Sequence, residues 1–174
     1  FPVNSFILAT EPLSENIVCE INPQDLAVCD PNYVLEYFRL SADKRLLFGG
    51  RCNYFGRDPD VIKRHLMPRM LKIYPQLAGA RIDFSWGGTI GVPINRVPQI
   101  GRIDNNIFYS QGYSGHGVNV THLAGQIIAD AVAGTFDRFD IFANIKPFTI
   151  PGQHIFRRQM VGLGMLYYAL KDKL

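Results

Sequence analysis

The first third of the chain holds its apolar residues in short runs that lack helical spacing. Phe6, Ile7, Leu8 and Ala9 sit within residues 3–10, a segment that predicts a strand. Residues 16–21 predict a second strand, after the turn-like Pro12-Leu13-Ser14-Glu15. Residues 33–40 alternate loosely through Val34, Tyr37, Phe38 and Leu40, and residues 45–50 return after Ser41-Ala42-Asp43-Lys44, which predicts a hairpin. The period then changes. Asp58-Pro59-Asp60 supplies an N-cap acid, a proline at the first helical position and a second acid facing the positive helix end. Val61, Ile62, Leu66, Met70, Leu71 and Ile73 follow at helical spacing, so a helix is predicted over 58–74. Pro68 lies inside it and predicts a kink or a split, at about 3 kcal/mol in a regular interior.

Beyond the helix, residues 81–92 predict a long strand softened by Gly87-Gly88, and residues 95–101 a turn into a short strand. Residues 106–111 predict another strand, running into Gly112-Tyr113-Ser114-Gly115-His116-Gly117. That turn opens a helix over about 118–133, with Val120, Leu123, Ala124, Ile127, Ile128 and Ala131 on one face and Gly134 as its stop. A Phe- and Pro-rich connection leads to a last helix, 154–173, whose Lys171 and Lys173 suit a C-terminal end. Strands first and helices later predict an α+β fold: a mostly antiparallel or mixed sheet with helices packed on it. Three parts are expected: residues 1–104, a sheet with the inserted helix 58–74; residues 105–134, a strand–turn–helix; and residues 135–174, the connection and final helix.

Composition narrows the classes. The 174 residues are 47% hydrophobic and 19% charged, which excludes a disordered tail. The net charge of +3 comes from scattered basic residues, so no nucleic-acid partner is expected. Three cysteines, Cys19, Cys29 and Cys52, form no C-x-x-C pair, which argues against a disulfide framework or zinc site and for a reducing cytoplasm. His65, His122 and His154 show no metal-ligand spacing, and no metal is expected. No apolar run reaches the roughly 20 residues of a membrane span. Phe1-Pro2-Val3 carries no initiator Met and reads as the interior of a strand, so a truncated chain is expected.

The chemistry sits at 112–117. Three glycines in six residues let the backbone take positive φ or approach a ligand closely. The helix N-terminus behind them offers unpaired N–H groups and about half a positive charge, which favours an anion or developing negative charge. A tight turn without a ligand is the plain alternative. A dinucleotide fingerprint is not met, because Gly115-His116-Gly117 lacks the third glycine. A nucleophile elbow is nearly met by Gly112-Tyr113-Ser114-Gly115-His116, where His replaces the last glycine; Asp137 or Asp140 with His154 would complete a serine hydrolase around Ser114. A non-catalytic interaction module is the third alternative.

The stretch from Gly112 to Val118, followed by Ala124-Gly125 and Ile128-Ala129-Asp130, resembles the C-terminal flavin-contact motif of the superfamily of glycine, sarcosine and D-amino acid oxidases. Asn95-Arg96-Val97-Pro98-Gln99-Ile100-Gly101 resembles that family's D-G-x-P-x-I-G segment, and Asn106-Ile107-Phe108-Tyr109 its next strand. Pro2-Val3-Asn4-Ser5-Phe6, Ala9-Thr10-Glu11-Pro12-Leu13, Arg45-Leu46-Leu47-Phe48-Gly49-Gly50, Pro75-Gln76-Leu77 and the tail from Tyr167 to Leu174 are similar to gamma-glutamylputrescine oxidases.

The resemblance implies a C-terminal portion of an FAD-dependent amine oxidoreductase, with residues 1–104 as its substrate domain. Backbone groups of Gly112, Tyr113, Ser114, Gly115, His116, Gly117, Val118 and Asn119 would contact FAD, where the positive helix end would stabilise the charge of reduced flavin. Asn119 stands where sarcosine oxidases place a Lys. Ile90 stands where amino acid oxidases place an Arg to clamp the substrate carboxylate, so an amine is the implied substrate. Gly88 is the nearest match to the Cys that attaches flavin in some sarcosine oxidases, so non-covalent FAD is expected. Arg51, Tyr54 and Trp86 are weaker substrate candidates, and no general base is evident. The implied reaction oxidises a gamma-glutamylputrescine-like amine to an imine, which hydrolyses to an aldehyde, with peroxide released. The family's N-terminal nucleotide-binding region is the implied partner; without it the chain is expected to be inactive and to self-associate through exposed apolar surface.

Overall fold

The computed structural model describes residues 1–32, 35–51, 59–146, 148 and 153–171. In chain order the elements are β1 (Pro2–Thr10), α1 (Glu15–Ile21), β2 (Val28–Cys29), β3 (Tyr37–Leu40), β4 (Leu46–Arg51), α2 (Pro59–Ile73), a 3-10 turn (Pro75–Leu77), β5 (Ile82–Gly91), β6 (Gln99–Ile103), β7 (Ile107–Gln111), α3 (Gly117–Val132), α4 (Asp137–Ala143) and α5 (Gln153–Lys171). The fold is α+β. One sheet runs β2-β3-β4-β1-β5 and a second is the β6–β7 pair. By contacts the chain forms two compact units: Asn4–Gly88 with Gly162–Leu174, and Phe1–Val3 with Thr89–Val161.

In the first unit, β3 and β4 form the expected antiparallel hairpin, and β4 pairs antiparallel with β1. Strand alternation puts Phe6, Leu8, Phe48, Leu46 and Leu40 on one face, all buried. Onto that face α2 brings Ile62, Leu66 and Met70, at four-residue spacing and fully buried. Each such side chain contributes about 1.5–3 kcal/mol through burial. Phe38 stacks on Phe48 at 5.7 Å, and Tyr74 meets Phe38 edge-on at 5.4 Å. Thr10 is buried without penalty: its hydroxyl donates to the Glu11 carbonyl (2.8 Å) and accepts from the Leu46 N–H (3.0 Å).

Two expectations change here. Residues 16–21 are not a strand but most of α1, with Val18 and Ile21, three apart, turned into the core. Ser14 enters the helix in an extended conformation and Glu15 faces its positive end. Pro68 does not split α2, which runs unbroken from Pro59 to Ile73. Pro68 and Arg64, whose carbonyl Pro68 cannot bond, both lie on the exposed side, while Leu66 and Met70 hold the buried side.

One end of the sheet is tied by charge. The Arg45 guanidinium reaches Asp43 and Asp83, both at 2.6 Å, and the Thr10 carbonyl at 2.9 Å. Arg81 adds a 2.7 Å ion pair to Asp83. Arg81 first and then Arg45 hold the Asp83 carboxyl below the usual carboxylate range by donating to it. Asp43 is lowered by the Ser41 hydroxyl and then by Arg45.

In the second unit, β6 and β7 pair antiparallel, and Ile100 joins Ala124, Ile127 and Ala131 of α3 and Phe139 of α4 in a core. Phe139 meets Phe108 edge-on at 5.4 Å. The Gly134 stop is confirmed: its φ is +97°, and the N–H groups of Gly134 and Thr135 close back on Ala131 and Asp130. The segment read as plain connection contains α4, held by Phe139.

Candidate functional site

The glycine-rich turn joins β7 to α3. Three of its residues take positive φ: Gly112 (+76°), Ser114 (+53°) and Gly115 (+91°). Two of these are glycines, for which the left-handed region carries no Cβ penalty. Gly112 is needed for a second reason: a Cβ there would stand 2.6 Å from Pro93 Cγ. Ser114, the non-glycine, is braced from two sides. Its N–H donates to the Gly91 carbonyl at 3.0 Å, and its hydroxyl to the Arg96 carbonyl at 3.4 Å. The Tyr113 hydroxyl donates to Ser110 Oγ at 2.6 Å, and the His116 N–H returns to the Tyr113 carbonyl at 2.9 Å.

This geometry points the start of α3 outward. The first bond running back to the helix entry goes from the Val120 N–H to the His116 carbonyl, at 3.3 Å. The N–H groups of Gly117, Val118 and Asn119 precede it, and the His116 side chain makes no capping bond to them. Val118 is 90% exposed, and Asn119 is exposed beside it. Adjacent N–H groups with the positive helix end behind them can hold an electron-rich oxygen or nitrogen. Ile90 comes alongside: its Cδ1 lies 3.6 Å from where a Gly115 Cβ would be. An alkyl group therefore stands at the position considered for a carboxylate clamp.

The remaining substrate candidates belong to the five-stranded sheet. Gly87 shares the face of Phe6, because a Cβ on it would overlap the Phe6 ring. Alternation then puts Trp86 and Phe84 on the opposite face, away from α2, at 45% and 57% exposure. Arg51 ends β4 in register with Ser5. The Arg51 side chain and the whole of Tyr54 lie outside the described residues.

The same face carries a feature that sequence reading missed. Ser5 Oγ and Tyr37 Oη are 2.6 Å apart, although β4 runs between their strands. Gly49 of β4, in register with Tyr37, makes this possible: a Cβ at 49 would overlap the Tyr37 ring. The sequence signal was a glycine inside a buried strand, which marks a close approach by another group. Among the described residues no group of three or more His, Cys, Asp or Glu is arranged to hold a metal ion, and no helix is long and apolar enough to cross a membrane.

Comparison with known proteins gives this geometry a family. The FAD dependent oxidoreductase family model matches residues 1–131. Gamma-glutamylputrescine oxidoreductase of Escherichia coli (strain K12) is 46% identical over 173 residues, 99% of this chain and 41% of that protein. A probable oxidoreductase OrdL of Haemophilus influenzae is 42% identical over 172 residues, again 99% of this chain and 39% of the relative. The chain thus spans about two fifths of the length of these relatives. Glycine oxidase from Geobacillus kaustophilus shares the fold at TM-score 0.65 and 21% identity, over 86% of this chain and 40% of that one. L-proline dehydrogenase from P. horikoshii does so at TM-score 0.60 and 21% identity, over 80% and 40%. The serine-hydrolase and interaction-module alternatives are not favoured beside these matches: the chain belongs to the FAD dependent oxidoreductase family.

Proposed function

We propose that this chain is the C-terminal part of an enzyme that oxidises an amine of the gamma-glutamylputrescine type to an aldehyde and releases peroxide. The observation that carries the reading is the turn heading α3, with positive φ at Gly112, Ser114 and Gly115 and the N–H groups of Gly117, Val118 and Asn119 ahead of the helix. That cradle fits the electron-rich edge of a flavin. Backbone groups of residues 112–119 would hold it, and the Tyr113 and Ser114 hydrogen bonds would fix the turn. FAD, when bound, supplies the two-electron acceptor that no side chain offers. Asn119 brings no charge, so the α3 N-terminus supplies the positive field.

The sheet face bearing Ser5, Tyr37 and Trp86, with Arg51 at its register position, would receive the substrate. Ile90 in place of an arginine disfavours a carboxylate on the reacting carbon, because no bidentate partner stands there. The 46% identity to gamma-glutamylputrescine oxidoreductase supports an acylated diamine. Gly88 on β5 offers no thiol, which supports non-covalent FAD. The exposed thiols of Cys19 and Cys29 suit a reducing cytoplasm. Val118 and other exposed apolar residues would be covered by the rest of the longer protein, and alone would promote self-association.

The test is an absorbance spectrum and FAD titration of the longer protein beside this chain. The longer protein is expected to hold flavin that bleaches anaerobically with gamma-glutamylputrescine and yields peroxide in air, while this chain alone holds none. If neither polypeptide binds flavin, the assignment of the turn fails.

A further inference from the structure

The Ser5–Tyr37 contact joins two strands that are not neighbours, through a gap that only a glycine at 49 leaves open. Either hydroxyl can be the donor. Two hydroxyls carry two hydrogens, and the bond between them uses one. When Ser5 donates to Tyr37, the phenol hydrogen is free to donate elsewhere, and the two bonds reinforce each other. Removing Ser5 would take away the hydrogen-bond partner that the described residues give the phenol, leaving its hydroxyl hydrogen unfixed.

We propose that Ser5 is a positioning residue: it turns the Tyr37 hydroxyl outward as a donor to an oxygen on the part of the substrate that is not oxidised. The inference rests on the functional reading above, which gives this sheet face to the amine. Chemistry selects the end of the substrate. The reacting nitrogen must keep its lone pair for the forming C=N bond, and a donor aimed at it would hold that pair back. An acyl or carboxylate oxygen accepts the same hydrogen without that conflict. Trp86 and Phe84, half-exposed on the same face, give an alkyl chain apolar surface to lie against. The implied substrate class is an aliphatic amine carrying an oxygen acceptor at its far end.

The test compares KM and kcat for gamma-glutamylputrescine and for unacylated putrescine in the longer protein and its Ser5→Ala, Ser5→Thr and Tyr37→Phe variants. Ser5→Ala is expected to raise KM for the acylated amine roughly fivefold, with kcat within about twofold. Ser5→Thr should restore it, and KM for putrescine should shift clearly less than KM for the acylated amine in Ser5→Ala. Tyr37→Phe should match or exceed Ser5→Ala, and the double variant should be no worse than Tyr37→Phe, because both act through one bond. Equal changes with both amines, an unmoved KM in Ser5→Ala, or additive losses would overturn the positioning role while leaving the amine reading intact. A wild-type protein that oxidises neither amine overturns the functional reading, and the positioning role falls with it.

Discussion

Gly87 of β5 lies directly against the ring of Phe6 in β1, so that the aromatic ring occupies the space a side chain at 87 would need. Phe6 is fully buried and has nowhere to withdraw. Gly87→Ala is therefore expected to destabilise the chain by about 1–3 kcal/mol, the usual cost of overpacking a core. Gly88, beside it, has nothing within 4 Å of a Cβ position, so Gly88→Ala should leave the urea midpoint close to wild type. A similar drop in both variants would show that the glycines matter for backbone freedom and not for the Phe6 ring.

At the turn, Gly112→Ala combines left-handed φ with a collision against Pro93 Cγ at 2.6 Å. Gly134→Ala meets only the backbone cost, about 1 kcal/mol, because its Cβ position is open. Gly112→Ala should cost about 2–4 kcal/mol, the sum of conformational strain and overpacking. In the longer protein it should weaken FAD binding, read by flavin fluorescence, whereas Gly134→Ala should not. Flavin affinity unchanged by Gly112→Ala would separate the turn from the cofactor.

Pro68→Ala should stabilise. Alanine restores an N–H to an unbroken α2 at an exposed position, for a gain of up to about 3 kcal/mol. Thermal melts of the two proteins measure it, and a lower midpoint would mean that the proline ring contributes contacts of its own.

The carboxylates around Arg45 set a pH dependence. Asp83 and Asp43 have their folded pKa values lowered, chiefly by Arg81 and Ser41 respectively. A lowered folded pKa gives stability that is present above the ordinary aspartate range and lost as pH falls through the folded value. Urea midpoints should thus hold steady from pH 7 to about 5 and fall below about 4. Asp83→Asn should start lower at pH 7 and show a shallower acid decline. An equal acid slope in the variant would place the titration elsewhere.

Much of the fold was written in local pattern. The hairpin of β3 and β4 follows from alternation around Ser41-Ala42-Asp43-Lys44, and the end of α3 from Gly134, because short-range rules decide both. Residues 16–21 misled because Ile17, Val18 and Ile21 are β-branched; the contacts of Val18 and Ile21 with the sheet core outweigh that preference. Pro68 misled because its cost depends on which way the helix faces, a property of packing. Of the candidate site, the glycine turn was legible as contiguous residues. Ser5 and Tyr37 were not, since 32 positions separate them and a strand of other sequence lies between.

The strand order has a consequence in time. Within its sheet β1 comes first in chain order, yet its neighbours are β4, at residues 46–51, and β5, at 82–91. A ribosome must extend the chain past Gly91 before β1 can have both of these partners. Until then β1, with Phe6, Ile7 and Leu8 in a row, lacks its β5 neighbour. Closing so long a loop is slower than forming the β3–β4 hairpin, whose strands are separated only by residues 41–45. The nascent chain is therefore expected to carry that hairpin early and to be more prone to sticking along β1 until residues 82–91 have emerged.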